Sequence, residues 1–404
     1  MFFFFFFFPD ETNGEKNNGR SFSEVKWQTK ANKGEWSELY TLYKLLADQN
    51  LFPIDKGQQI SARLRMPILS ILRHTEETIC AEYRIDDEGI VHINANGIDI
   101  IEVDKKEFEE ISTGMLDAIK KGASDAAFEI SSINGFRERT FCPKIKCYSK
   151  KLLNGDKDKS DLYIVIHDAF TGQSPKLGFS IKSELGNPPT LLNATKLTNF
   201  KYRLSKNLPA DQVEQINSML DNRGYIDIQG RVRAIIDSGV FLEFLTINPD
   251  KKGKPVFLEN LFAVDSCLPD ILAHLLLMSY TEDTKKLDEL TEKLSAENPL
   301  KFPMQTNKKS YEIKVKRFVS DVALGLLPSQ PWDARHQAAG ILVVTESGNI
   351  DCYHIIYRDS LDEYLYHDLK FETGFASRHG FGKIETDEDG NQFFTLNLQL
   401  RFIK

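Results

Sequence analysis

The stretch LGFSIKSELGNPPTLLNATKLTNFKYRL, residues 177–204, decides the reading of this chain. It opens as an apolar strand, yet Lys182 stands in its middle, and an ammonium buried without a partner is costly. Successive side chains along a strand point to opposite faces, so Ser180, Lys182 and Glu184 share one face while Phe179 and Ile181 take the other. Upstream, LYIVI at 162–166 is a second short apolar run, separated from 177–181 by the turn-forming TGQSP. That spacing predicts an antiparallel hairpin. Asp161 opens its first strand at the end where Lys182 lies on the second.

A carboxylate at the mouth of one strand, facing a lysine on the next, suits metal-dependent phosphodiester hydrolysis. The aspartate, with further hard oxygen ligands, holds one or two Mg²⁺ ions. The metal lowers the pKa of a bound water. The lysine orients or deprotonates that water and stabilises the charge that builds on phosphorus. Alone, Asp161 followed by Ser-x-Lys at 180–182 is a short pattern that a turn aspartate and a surface lysine also produce. Its surroundings add weight. Residues 137–159 hold eight Lys or Arg against three acids, a local excess of five in a chain whose net charge is -8. A phosphate-binding segment would look like this, and so would a solvated loop.

Further upstream, Trp36, Leu39, Leu42, Tyr43 and Leu46 recur at helical spacing and predict an amphipathic helix over 35–48. Glu35 falls inside its apolar face and Glu38 at the flank; the helix dipole accounts for a glutamate in a first turn. Residues 60–104 read as short strands broken by Asp-Asp-Glu-Gly and Asn-Ala-Asn-Gly turns, and 107–122 as a helix closed by Gly122. Downstream of the quoted stretch, 207–223 and 258–296 carry helical patterns. The tail returns to strands, with Phe394, Leu396, Leu398, Leu400 and Phe402 inward and Asn397, Gln399 and Arg401 outward. The Pro188-Pro189 loop is expected to lead into a short helix capped by Thr190. No internal repeat or linker interrupts this order. The expected architecture is one elaborated α/β domain over 25–404.

Several classes are excluded. The five cysteines are scattered with no C-x-x-C pair, which argues for reduced thiols in a cytoplasm and against a zinc knuckle. There is no Walker loop, no G-x-S-x-G elbow and no H-x-x-x-H pattern. No run approaches the roughly 18 to 20 apolar residues of a membrane helix. The opening MFFFFFFF lacks a basic n-region and a cleavage site, and a polar Gly/Asn-rich segment follows it. Residues 1–24 are expected to be a low-complexity leader outside the fold.

The segment 178–204 resembles the signature region of the HpaII-type restriction endonucleases. NKGEWSELYTLYKLLAD at 32–48 resembles that family's first helix, and SRHGFGKI with TLNLQLRF its C-terminal end. The resemblance runs from about residue 31 to the C-terminus. It implies a PD-(D/E)xK-like nuclease core, a mixed sheet flanked by helices with added β-rich segments, its catalytic hairpin around 156–205. It also implies Mg²⁺-dependent cleavage of double-stranded DNA at a short palindrome, CCGG for the type enzyme, in a restriction-modification system with a cognate methyltransferase. Carried over by position, Asp161 is the metal-binding aspartate and Lys182 the catalytic lysine. Ser180 stands where most of the superfamily has Asp or Glu, and Ser160 where the motif name has Pro. A hydroxyl is a poor substitute for an anionic ligand, so a carboxylate must arrive from elsewhere. Glu184 is on the expected face. Glu38 matches the helix glutamate that many members aim at the metal and ranks above Glu35. Asp156 and Asp158, in a turn-like Gly-Asp-Lys-Asp, rank lower.

Asn193, Thr195 and Asn199 are expected to contact phosphates and sugars, although capping and turn formation account for Thr190 and could account for the others. Arg137, Arg139 and Arg378 are the candidate guanine readers. Two cuts in a palindrome call for a homodimer or for sequential nicking by a monomer. The rival reading is a DNA-binding protein on the same fold that became catalytically silent when Ser180 replaced a ligand.

Overall fold

The structure, a computed structural model, describes residues 26–403 except 56–64, 77–78, 96–97, 125, 149–157, 169–171, 304 and 306–307. The expected leader, and with it Asp156, lies outside the described residues.

The hairpin forms in the expected register. Leu162–Ile166 pairs antiparallel with Lys176–Ser183, Leu162 opposite Phe179 and Ile164 opposite Leu177. It is the centre of a large mixed sheet with nine strands among the described residues. On one side come Met66–Glu76, Ile79–Ile85, Ile90–Ala95 and Ile98–Asp104, the meander expected over 60–104, with the short Asn50–Leu51 added to the first of them. On the other side Gly340–Val344 pairs parallel with Lys176–Ser183, and Ile350–His354 closes that edge.

The first helix, Lys33–Asp48, packs its buried stripe of Trp36, Leu39, Leu42, Tyr43 and Leu46 against this sheet. Asn32 and Glu35 form a reciprocal capping box at its start, so Glu35 closes the helix N-terminus. One turn on, Ser37 Oγ lies 2.8 Å from Ser183 Oγ, both buried, which fixes the helix against the end of the hairpin. The helix Lys105–Lys121, closed at Gly122, covers the same face.

A second core lies behind the sheet, built from the helices between Ala210 and Leu324 and from two smaller sheets. Gly340–Val344 belongs to both: Leu342 and Val344 enter the first core, Ile341 and Val343 the second. A strand covered on both faces reads as a continuous apolar run, as GILVV does.

The expectations differ from the structure at four places. Thr190 opens no helix; Thr190–Leu192 is a strand paired with Leu400–Phe402, because Leu191 and Leu192 both find apolar cover. The tail is broken into Gln392–Asn397 and Leu400–Phe402, and its inward residues are buried as expected. Of the residues expected outward, Asn397 and Gln399 are buried too; for Asn397 the loop before Asn199–Leu204 lies over it, and its Nδ2 donates to Thr195 O (2.7 Å) and Asn199 Oδ1 (2.6 Å). The pattern at 207–223 gives only Ala210–Ser218, and 258–296 breaks into Val256–Val264, Leu268–Thr281 and Leu287–Glu297. The first two of these are bent by 108°, and no single helix among the described residues is long and apolar enough to cross a membrane. None of the five cysteines is in a disulfide.

Candidate active site

Asp161 precedes the first hairpin strand and is bound at both ends of the residue. Its N–H donates to Phe179 O (2.8 Å), and its Oδ2 accepts the Ile181 N–H (2.7 Å). The loop leading to it is equally fixed. Asp158 and Ser160 are buried; Asp158 Oδ1 accepts the Ser160 N–H (2.8 Å), and Ser160 Oγ donates to Gln337 O (3.3 Å). Gly178 makes that crossing feasible, because a Cβ there would stand 2.1 Å from Ser160 Oγ. Asp158 is thus committed to the loop.

Lys182 is half-buried on the face opposite Phe179 and Ile181. Burial lowers its pKa, and the charges of Asp161 and then Glu38 raise it. Glu38 comes from the first helix, one residue after Ser37. Burial, and then the Asp161 charge, push it up to about 7, against the Cys147 N–H that donates to its Oε2 at 2.5 Å and the cations Arg73 and Lys146. Asp161 is also raised, by burial, against Lys182, the Ile181 N–H, Lys159 and Lys146. Three residues separated by up to 144 positions in the sequence therefore share one site. Glu38 and Lys182 line an open cleft of about 770 Å³, with Asn32, Lys146, Asn187 and Asn193 among its other walls, and Asp161 acts on both of them.

Two contributors escaped the sequence reading. Lys159, counted there only as part of the basic run, neighbours both Lys182 and Asp161; burial and then Lys182 bring its pKa down to about 8. Arg73 is fully buried in Met66–Glu76, and its Nη2 donates to Lys144 O (2.9 Å) and Ile145 O (2.8 Å). It thereby holds the 144–147 segment, which carries Lys146 and the N–H bound to Glu38. Arg73 sits in SILRHTE, a strand with ordinary alternation, and nothing in that string signals a functional cation.

Several sequence candidates are elsewhere. Glu184, beyond the end of its strand, has Oε2 on the Glu346 N–H (3.1 Å). Burial raises its pKa, and Asp351, Glu346 and Asp368 add to the rise. It is not among the charges acting on Asp161 or Lys182, because the alternation that put it on their face stops at Ser183. Arg137 is no base reader. It is fully buried, with Nη2 on Gln28 O (2.8 Å) and Pro143 O (3.0 Å), Nε on Cys142 O (3.2 Å), and the Trp27 and Trp36 rings 5.2 and 5.7 Å away. Thr195 caps the turn Lys196–Thr198 by accepting the Leu197 N–H. Asn199 is buried and donates to His379 O (3.0 Å) and Gly380 O (3.3 Å). Those two side chains are structural. Arg139 is exposed but paired with Glu107. Asn193 does line the cleft, and Arg378 is exposed on the short helix Ala376–His379.

The residues present fit a hard divalent cation. No group of three or more His, Cys, Asp or Glu that could hold a metal occurs among the described residues. Two neighbouring carboxylates do, Glu38 and Asp161, each raised in pKa first by burial, a cost that a bound cation would offset. Ser180 Oγ, 2 % exposed and without a hydrogen-bond partner, is a further oxygen on the strand of Lys182. Mg²⁺ keeps several waters and takes one or two carboxylates, so such a sparse set suffices.

A model of the HpaII restriction endonuclease family matches residues 32–402. The chain is 39% identical over 380 residues to the type II restriction enzyme HpaII of Haemophilus parainfluenzae, which covers 92% of this chain and 98% of that one. No solved structure matches the chain.

Proposed function

The chain belongs to the HpaII restriction endonuclease family and is a type II restriction endonuclease; from that premise we propose that Asp161, Glu38 and Lys182 hydrolyse the phosphodiester with Mg²⁺ as cofactor. The observation that carries the proposal is the meeting of the carboxylates of Glu38 and Asp161 with the half-buried Lys182, two of the three lining one cleft. Asp161 and Glu38 hold the cation; bound there, it supplies Lewis-acid polarisation of the phosphate and a more acidic water. Lys182 orients the attacking water on the phosphorus and balances the negative charge of the pentavalent transition state. The water oxygen bonds to phosphorus as the bond to the 3′ oxygen breaks, and that oxygen takes up a proton. Lys146, exposed on the cleft wall, and Asn193 steady the flanking phosphates. In this scheme Glu38 supplies the carboxylate that Ser180 cannot, which removes the ground for the silent-binder reading.

The core is of the PD-(D/E)xK type, and 25–404 works as one domain, a reading supported by the strand common to both cores. The substrate is duplex DNA, and CCGG is the palindrome implied by family resemblance. The enzyme acts in the cytoplasm beside a methyltransferase of the same specificity, as a homodimer or by sequential nicking. Arg139, once released from Glu107, is the remaining candidate guanine reader, and Arg378 contacts a phosphate. Plasmid digestion with Mg²⁺ and with EDTA, followed by sequencing of the ends, tests the scheme. Cutting that persists in EDTA would end the metal assignment; ends outside CCGG would end the target assignment.

A further inference from the structure

Away from the cleft, two large aromatic side chains stand together in solvent. Phe375 is 66% exposed and Tyr225 57%, with ring centroids 6.5 Å apart at 69°. Folding does not require such a pair, and exposed apolar surface framed by polar groups marks a contact site. The backbone beneath them is held rigidly. Buried Asn199 donates to His379 O and Gly380 O, and buried Arg231 Nη1 donates to Gly382 O (2.6 Å). A Cβ on Gly374 would meet Ala194 Cβ at 2.8 Å, so the segment carrying Phe375 is pressed against the loop that leads from the cleft.

The flanks are cationic. Arg378 and Lys196 are exposed and both act on His379, while the Arg223 guanidinium, 5.5 Å from the Tyr225 ring, is paired with Asp221 at 3.3 Å. Thr190 and Asn193 line the cleft, and Lys196 follows Asn193 three residues later in the chain. Next to Phe375 in the chain, Ala376 and Ser377 help line a hollow of about 380 Å³ with Lys383, Glu385 and Thr395.

We infer that Tyr225 and Phe375 form an aromatic wedge against the bases of the DNA bound in the cleft, with Phe375 stacking on a base step and Lys196 and Arg378 on the phosphates. The inference rests on the endonuclease reading above. Aromatic side chains that face nucleic acid partly unstack a step or cover an exposed base, and being uncharged they release no phosphate counterions, so their loss leaves the salt slope unchanged.

The test uses the full chain, in EDTA, with a duplex carrying the cleaved sequence and 2-aminopurine placed in turn at positions in and beside it. Wild type and Lys182→Ala should both raise the fluorescence at one position. Phe375→Ala should abolish that rise and weaken binding by about ten-fold, with an unchanged salt slope; Phe375→Trp should restore both. Arg378→Ala should instead lower the salt slope by about one. Phe375→Ala and Tyr225→Ala that bind and report as wild type would overturn the wedge. So would a loss of self-association with DNA binding intact, which would make this face an interface between copies. The catalytic scheme fails on another result, cleavage by Lys182→Ala, so the two are separable.

Discussion

Glu38 and Glu184 both offered the carboxylate that Ser180 lacks, and the structure separates them. Glu184 is two residues from Lys182, yet it keeps company with Asp351, Glu346 and Asp368 beyond the end of the strand. Glu38 is 144 positions from Lys182 in sequence, yet it acts on both Lys182 and Asp161. Burial raises the pKa of each. Each also has a neighbouring acid and a backbone N–H donor; only Glu38 adds nearby cations, Arg73 and Lys146, and the company of Lys182. Proximity along a strand guarantees a common face only while the strand lasts. A helix clamped by one buried hydroxyl pair, Ser37 with Ser183, delivers a side chain more reliably.

The hardest test of that contrast is the lysine they compete for. Lys182→Ala should cut at least about a hundred-fold more slowly, the scale of losing one charge stabiliser. Its melting temperature should stay within a few degrees, because burial already disfavours the ammonium. Near-normal cleavage would dissolve the site as drawn. Next, Glu38→Gln should lose about ten- to a hundred-fold in activity and need more Mg²⁺ for half-maximal rate, whereas Glu184→Gln should change less than about three-fold. The reverse order would return the missing ligand to the strand. Arg137→Ala tests the basic segment. It should destabilise the fold by about 3 kcal/mol, measured by denaturant titration, since it removes a donor from Cys142 O, Gln28 O and Pro143 O, of which Pro143 O keeps the Gln28 N–H. The refolded fraction should discriminate DNA sequences as before.

The smallest effect is a pH dependence. Glu38 is raised to about 7, so the folded chain holds a proton that the unfolded chain releases from about 4.5 upwards. That stabilisation is complete below the ordinary carboxylate range and is lost as pH rises through about 7. Without metal, the new anion also repels phosphate. DNA affinity in EDTA should therefore fall between pH 6 and pH 8, and Glu38→Gln should flatten both the affinity and the stability curves. A variant with an unchanged slope would assign the titration to another group.

The hairpin, the first helix and the pairing of Asp161 with Lys182 were legible because periods of 2.0 and 3.6 residues are local properties. Glu38 was legible only through resemblance, since its aim depends on how the helix docks. Arg137 and Asn199 were misread for a physical reason: a long polar side chain is soluble in water or in a shell of carbonyls, and composition does not distinguish the two. Arg73 and Lys159 were missed because a buried cation leaves no periodic trace. Thr190 has the residue type of a helix cap, but the two leucines after it found a strand partner over 200 positions away, at Leu400–Phe402.

The strand Gly340–Val344, covered on both faces and hydrogen-bonded along its length to the strand of Lys182, bears on how this enzyme wears out. A site on an edge loop can fray while the rest of the molecule persists. Here the lysine-bearing strand cannot open without parting two cores at once, so its amides should exchange with solvent only through events close to global unfolding. Heat should then switch the enzyme off in a single step, with the activity curve and the melting curve superimposed. A cell carrying it would harbour molecules that are either whole and cutting or wholly unfolded, with few half-competent nucleases between.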